Sequence, residues 1–545
     1  MLLPVLLLLA AQGVSQNGGS PNEPPPNTDT HFALPRFTTI QAWEKRKSEL
    51  RRQILFAAGL DPMPEKTPLH AQVFGRIETK DCAIEKVLIE TMPGYFLGGN
   101  LYRPLHATGR HPAVLNPHGH WTYGRLENQP LYSGPNLGAN LARQGYVVFA
   151  WDMAGYNDTG QTPHAFGGPA EQLWSFGPFG LQAWNSLRAL DFVAGLEDVD
   201  ASRIGMTGAS GGATQTLMLA AMDDRVSYFA PVNMISAYMQ GGDFCENAPG
   251  LRFGTNNVEI AAMIAPKPLL MVSATGDWTK NTPTEEYPAI RRLYELYGKP
   301  ENIETLQLDA PHNFNKQNRE AVYRFFGKHM LHDPHASAIT EKNAEVPMLQ
   351  NMLALSGRSL PSGALKYEDI FAEWKHRNAP RNAREALSLA LAAQWPEQMS
   401  LDGSALDGAG EFREGKGVPV IVVGGSMNDA PAGRPAVLIG AIPQRDHTVK
   451  HFLTFNKSDD ALRVQQVLTA MAWLHKKYAG PVEVIGIGTA AGVCAKFAAA
   501  VAPIPVKLAI DISAFHGADE DFLKYFNVPG IQTAGGLTAA ERLTQ

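Results

Sequence analysis

Cysteine is scarce in this chain: Cys82, Cys245 and Cys494 are the only three in 545 residues. Three widely spaced thiols exclude a disulfide-built scaffold and form no zinc signature. They leave room for one bridge in an oxidising compartment, Cys82–Cys245. His118 and His120 are separated by a single glycine and have no visible partner in the sequence. No metal and no other cofactor is therefore expected. Basic charge is not in excess: 47 Lys and Arg stand against 53 Asp and Glu, a formal charge of −6. That balance gives no support for binding nucleic acid. Beyond the amino terminus no apolar run reaches the length of a membrane span. What is left is an ordinary globular composition, 44% apolar and 18% charged, in a chain long enough for more than one domain.

Met1–Ala11 is almost wholly apolar, and the small residues Gly13 and Ser15 follow. This reads as a signal peptide over residues 1–15, although it lacks the usual basic start. It points to a secreted or periplasmic protein. Residues 16–30, polar and rich in proline, read as a disordered tether.

Residues 31–333 read as the first domain. Phe37–Leu60 has the pattern of a charged amphipathic helix, and extended segments follow at Ala71–Thr79, Glu85–Thr91 and Leu97–Tyr102. From His111 strands alternate with helices, the rhythm of a mostly parallel sheet wound with helices. The strands are expected at Pro112–Asn116, Tyr146–Trp151, Arg203–Thr207, Val226–Pro231, Lys267–Thr275 and Ile303–Leu308. Thr282-Pro283-Thr284-Glu285 reads as a capping box opening a helix. Residues 334–394 read as a helical linker.

Residues 395–545 read as a second, smaller α/β domain. Its expected strands are Val418–Val423, Ala436–Ile439, His451–Phe455 and Val482–Ile487, with a helix at Leu462–Tyr478. Val484–Gly492 aligns with Ile204–Gly212, and Ala490 falls where Ser210 stands. Val528–Gln532 resembles the strand at Pro268–Val272, but no carboxylate follows it. This half is expected to be a decayed, non-catalytic duplicate of the first.

Gly208-Ala209-Ser210-Gly211-Gly212 fits G-x-S-x-G between a strand and a helix, a turn that lifts a serine above the sheet. A serine hydroxyl is a poor nucleophile without a base, and the base needs a carboxylate to orient it. Asp277 follows the strand Leu269–Ala274 through Thr275-Gly276. His312 follows the strand Ile303–Leu308 through Asp309-Ala310-Pro311. Asp309 and Glu285 are rival acids, but one precedes the histidine loop and the other fits a cap. The N–H of Gly211 and the Gly119–His120 backbone, just beyond the Pro112–Asn116 strand, are the expected oxyanion donors. Trp174, Glu246 and Arg252, on insertions at Asn157–Phe179 and Ser236–Asn257, and Trp121 and Trp278, near the expected catalytic loops, are the expected substrate contacts.

The order serine, acid, histidine is that of α/β-hydrolases. The region His111–Met330 resembles bacterial α/β-hydrolases of the acetylxylan esterase-like and dienelactone hydrolase-like groups. The segments that carry the resemblance are Pro117–His120, Gly208–Gly212, Cys245–Arg252, Ala274–Thr279 and Pro311–Asn313. The resemblance implies an α/β-hydrolase fold followed by a degenerate hydrolase-like domain, with Ser210 as nucleophile, Asp277 as acid and His312 as base. It implies an ester substrate, acetylated plant polysaccharide such as acetylated xylan first. No basic residue accompanies the serine as in glucuronoyl esterases, and no cysteine attacks as in dienelactone hydrolases proper. Two other readings stay open: a serine peptidase of the prolyl-oligopeptidase type, for which no propeller-like repeat is present, and a non-enzymatic carbohydrate-binding or scaffold protein.

Overall fold

The computed structural model describes residues 24–545 apart from 107, 377–379, 402 and 407. The expected signal peptide and the start of the tether lie outside the described residues. The rest of the expected tether is packed, not free. Gln240 donates its backbone N–H to the Thr28 carbonyl at 2.9 Å, and Asn456 Nδ2 donates to the Pro26 carbonyl at 2.8 Å. Proline removes backbone donors but not acceptors, and these carbonyls are used.

The first sheet is built from β1 (Gln72–Glu78), β2 (Ala83–Met92), β3 (Tyr95–Arg103) and β4 (His111–Pro117). A small separate ribbon, β5 (Asn128–Gln129) and β6 (Tyr132–Ser133), precedes β7 (Val147–Trp151), β8 (Val199–Ala209), β9 (Tyr228–Val232), β10 (Leu269–Gly276) and β11 (Ile303–Pro311). The sheet order is β1-β2-β3-β7-β4-β8-β9-β10-β11. Strands β1, β2, β3 and β7 pair antiparallel in turn, and β7 through β11 are parallel. Every residue of β7 is buried, as a parallel strand covered on both faces requires. One face packs helices Ile40–Ala57, Pro178–Ala194 and Gly211–Met222; the other packs Gly134–Arg143 and Lys316–Met330. The parallel strands all end on one edge, where loops have room to build a site.

A second sheet holds β12 (Gly410–Arg413), β13 (Val420–Val423), β14 (Ala436–Ile439), β15 (Val482–Gly486) and β16 (Val506–Ile510), in the order β12-β14-β13-β15-β16. β12 is antiparallel to β14 and the others are parallel. Taken in chain order, this arrangement repeats β3-β7-β4-β8-β9 strand for strand, with the same single antiparallel member.

Several expected elements differ. His451–Phe455 is not a strand: Phe452–Phe455 is one turn of helix, with Phe452 and Phe455 both buried at i, i+3 spacing. Its Leu453 and Thr454 carbonyls accept the N–H groups of Gly250 and Arg252. Val528–Gln532 is a turn, pinned by the Gly530 and Gln532 N–H groups to the Gln172 and Leu173 carbonyls. The alignment of Ala490 with Ser210 also shifts. The residue turning the chain after β15 is Gly488 (φ 85°), and Ala490 already lies in the helix Thr489–Val501. The 334–394 segment is more than a linker. Ile370 and Trp374 enter the first core, and Ala386 and Leu387 enter the second.

Candidate active site

Ser210 joins β8 to the helix Gly211–Met222 with φ 58° and ψ −124°. A non-glycine residue in that region is strained, and strain of this kind persists only where the surroundings hold it. They do so through glycine. A Cβ on Gly208 or on Gly212 would lie 2.6 or 2.4 Å from the Pro117 carbonyl oxygen. One on Gly119 would lie 2.6 Å from the Ala209 carbonyl and 3.1 Å from Ser210 Cβ. The serine turn and the loop after β4 therefore interlock backbone against backbone. Ser210 N–H donates to the Val232 carbonyl at 3.0 Å, tying the turn to the end of β9.

Asp277 follows β10 and His312 follows β11, so both stand at the same sheet edge as Ser210. His312 Nδ1 donates to Asp277 Oδ2 at 2.8 Å, which leaves Nε2 with its lone pair. The other carboxylate oxygen accepts from the Thr279 N–H at 2.7 Å and its hydroxyl at 2.5 Å. The Asp277 side chain is 2% exposed and that of His312 25%, the pattern of a buried orienting acid and a reachable base. Asn233, with φ 53°, donates Nδ2 to the Asn313 carbonyl at 3.0 Å and holds the histidine loop. The rival acids are occupied elsewhere. Asp309 accepts from the Thr275 hydroxyl, and Glu285 pairs with His31 at 2.6 Å. The expected capping box does not form, because the helix begins only at Glu286.

His118 organises the loop after β4. Met153 N–H donates to its Nε2 at 3.0 Å, so Nδ1 carries the proton and donates to the Gly119 carbonyl at 2.7 Å. Burial pushes the imidazole down to about 3, so it is neutral. The Gly119 carbonyl also accepts from Trp121 N–H at 2.8 Å. In a planar trans peptide the His120 N–H points the opposite way. Gly211 N–H is one of the unpaired donors at its helix start.

No protein-family model matches the sequence. Among solved structures, the methylesterase BT1017 is similar over 62% of this chain and 75% of its own, with 29% identity and a TM-score of 0.54. Among curated proteins, YtaP of Bacillus subtilis, provisionally described as a hydrolase, is 26% identical over 305 residues. That match spans 52% of this chain and 99% of YtaP. The fold is the α/β-hydrolase fold.

The remaining expected contacts divide within this hydrolase fold. Trp278 lies 4.4 Å, ring to ring, from His312, and Trp121 stacks on Tyr132 beside Gly119. Trp174 is elsewhere: its Nε1 donates to Asp519 Oδ1 at 2.9 Å, at the junction with the second core. Glu246 and Arg252 are buried inside their own loop. Glu246 accepts from the Thr214 hydroxyl and from the Gly242 and Asp243 N–H groups, and Arg252 donates to Asn247, Asn257 and the Glu246 carbonyl. These bonds hold the 236–257 loop together and leave both side chains buried. The cysteines form no bridge: Cys82, Cys245 and Cys494 are free and buried. His118 and Asn233 act through backbone groups of distant loops, for which the sequence carries no spacing signal.

Proposed function

We propose that this protein is a serine carboxylic-ester hydrolase acting on an ester of a carbohydrate. The observation that carries the reading is the Asp277–His312 hydrogen bond at the sheet edge where strained Ser210 stands. Ser210 Oγ attacks the ester carbonyl carbon while His312 Nε2 takes the hydroxyl proton, and Asp277 stabilises the imidazolium. The oxyanion accepts from the N–H groups of Gly211 and His120, each worth roughly 3–4 kcal/mol in the transition state. Collapse breaks the carbonyl–alkoxy bond, and His312 returns the proton to the departing alcohol. Water, deprotonated by His312, then hydrolyses the acyl-serine and restores the free hydroxyl. The apolar start, Met1–Ala11, supports export of the protein.

The first substrate is an acetyl ester on plant polysaccharide, on the motifs from Pro117 to Asn313. The likeness to a methylesterase favours a second, the methyl ester of an acidic sugar. The two differ in which side of the ester stays on Ser210: a small acetyl group, or the sugar acid itself.

A fluorophosphonate probe and a panel of acetylated xylan, a methyl-esterified polyuronate, p-nitrophenyl acetate and a peptide amide test this. Ser210 is expected to be labelled, with release of acetate or methanol. Ser210→Ala is expected to lower kcat by about 10⁶-fold. Folded wild-type protein that takes no label would overturn the reading, and turnover of the amide alone would replace it with a peptidase.

A further inference from the structure

Three side chains outside the triad converge beside the candidate site. His120 Nε2 lies 3.1 Å from His164 Nε2 and 3.1 Å from Cys245 Sγ, and all three atoms lie within 4.8 Å of one another. The residues come from the loops after β4, β7 and β9 respectively. Cys245 is buried and both histidines are half-buried.

A backbone hydrogen bond fixes the direction of one of these rings. His164 Nδ1 donates to the Ala154 carbonyl at 2.7 Å, so its Nε2 presents a lone pair to the other two. Metal-bound histidines are commonly oriented by such a carbonyl. A single proton on His120 Nε2 can serve only one of its two neighbours well, whereas one cation serves all three. Around a tetrahedral zinc, with bonds of about 2.0–2.3 Å, ligand atoms stand roughly 3.3–3.6 Å apart. The two 3.1 Å separations need open by only a few tenths of an ångström to match, and the third, from His164 to Cys245, is within 4.8 Å. Asp243 reaches within 3.6 Å of His120 Nε2 from the solvent side, while the neighbouring Glu246 carboxylate is already engaged.

We propose that His120, His164 and Cys245, with Asp243 in the fourth position, form a binding site for a zinc-class divalent cation. The nitrogen–sulfur set selects a borderline-soft ion over magnesium or calcium. Binding forms the metal–sulfur bond and releases the thiol proton to solvent. The ion ties three loops together, and one of them carries the His120 peptide. A Cβ on Gly211 would lie 2.9 Å from His120 Cε1, so that ring also braces the residue after Ser210. The effect on catalysis rests on the proposed esterase function, but the binding does not.

The test is an optical titration of chelator-stripped, full-length protein with cobalt(II), followed by competition with zinc. The wild type is expected to bind one equivalent, show a thiolate-to-cobalt charge-transfer band with tetrahedral visible bands, and lose both to zinc. Cys245→Ser is expected to abolish the charge-transfer band, while Cys82→Ser and Cys494→Ser keep it. Asp243→Asn, at a partly exposed position, is expected to weaken cobalt about 10-fold with an unchanged circular dichroism spectrum. Absence of a thiolate band in wild-type protein at saturating cobalt overturns the proposal, as does a band that survives Cys245→Ser. Ser210→Ala is expected to bind like wild type, which separates failure of this site from failure of the esterase reading.

Discussion

A methyl group on Gly208 would sit 2.6 Å from the Pro117 carbonyl and 2.7 Å from the Gly212 backbone, closer than packed atoms tolerate. Gly208→Ala must therefore push the helix Gly211–Met222 away from β4. Destabilisation of about 1–3 kcal/mol is expected, measurable as a lower denaturant midpoint together with slower labelling of Ser210. Asp277→Asn tests a different term, since it keeps the size of the group but loses the charge that fixes the His312 tautomer. Its kcat is expected to fall about 10⁴-fold with the melting temperature nearly unchanged. At this scale Ser210, Asp277 and His312 were legible because each follows a short apolar strand through a glycine or proline turn. His118 was legible only as part of a loop. Its bond from Met153 N–H depends on how β4 and β7 lie side by side.

Among the elements, β7 and β3 meet at a buried charge. Arg125, 1% exposed, donates to Asp152, to Asp158 at 2.6 Å and to Asn100 at 2.9 Å. Asp158 in turn accepts the N–H groups of Ala354 and Leu355, fastening the 349–355 segment to the sheet. Arg125→Met leaves two buried carboxylates without their cation. A loss of about 3–5 kcal/mol is expected, read from equilibrium unfolding. Most strands were visible from their apolar runs. The Phe452–Phe455 turn and the Val528–Gln532 turn were not, because short apolar segments fit a strand or a helix equally well. Their conformation follows from the backbone groups they meet on the first sheet's side: Gly250, Arg252, Gln172 and Leu173.

For the whole molecule, two apolar cores meet through Phe56 and Leu173, which pack into the second core, through Trp174, which packs against both, and through polar straps beside them. A cavity of about 980 Å³ opens between them, lined by residues of both, among them Gln53, Arg252, Leu453 and Gln465. Asp519 is the principal strap near Trp174: it accepts from Trp174 Nε1, from Lys375 at 2.9 Å and from Gln532 at 2.9 Å. Asp519→Ala removes these hydrogen bonds while the apolar contacts remain, and it is expected to lower the melting temperature by a few degrees, read by calorimetry. The second sheet shares the strand order and directions of β3-β7-β4-β8-β9. Among the described residues no strand follows β16, so the second sheet has no counterpart of β10 and β11, the strands that precede Asp277 and His312.

The sequence alone determined the α/β alternation of the first sheet, the serine turn and the order of the three candidate triad residues. These depend on periodicity and on turn chemistry within a few neighbouring residues. Only the tertiary structure put Trp174 against Asp519 and buried Glu246 and Arg252 in hydrogen bonds of the 236–257 loop. It alone put His120, His164 and Cys245 within reach of one another, and it brought the second core back onto the loop that carries Cys245. Contacts across 44 and 125 residues, as His120 makes with His164 and Cys245, leave no local pattern. They exist because parallel strands gather the ends of distant segments along one edge.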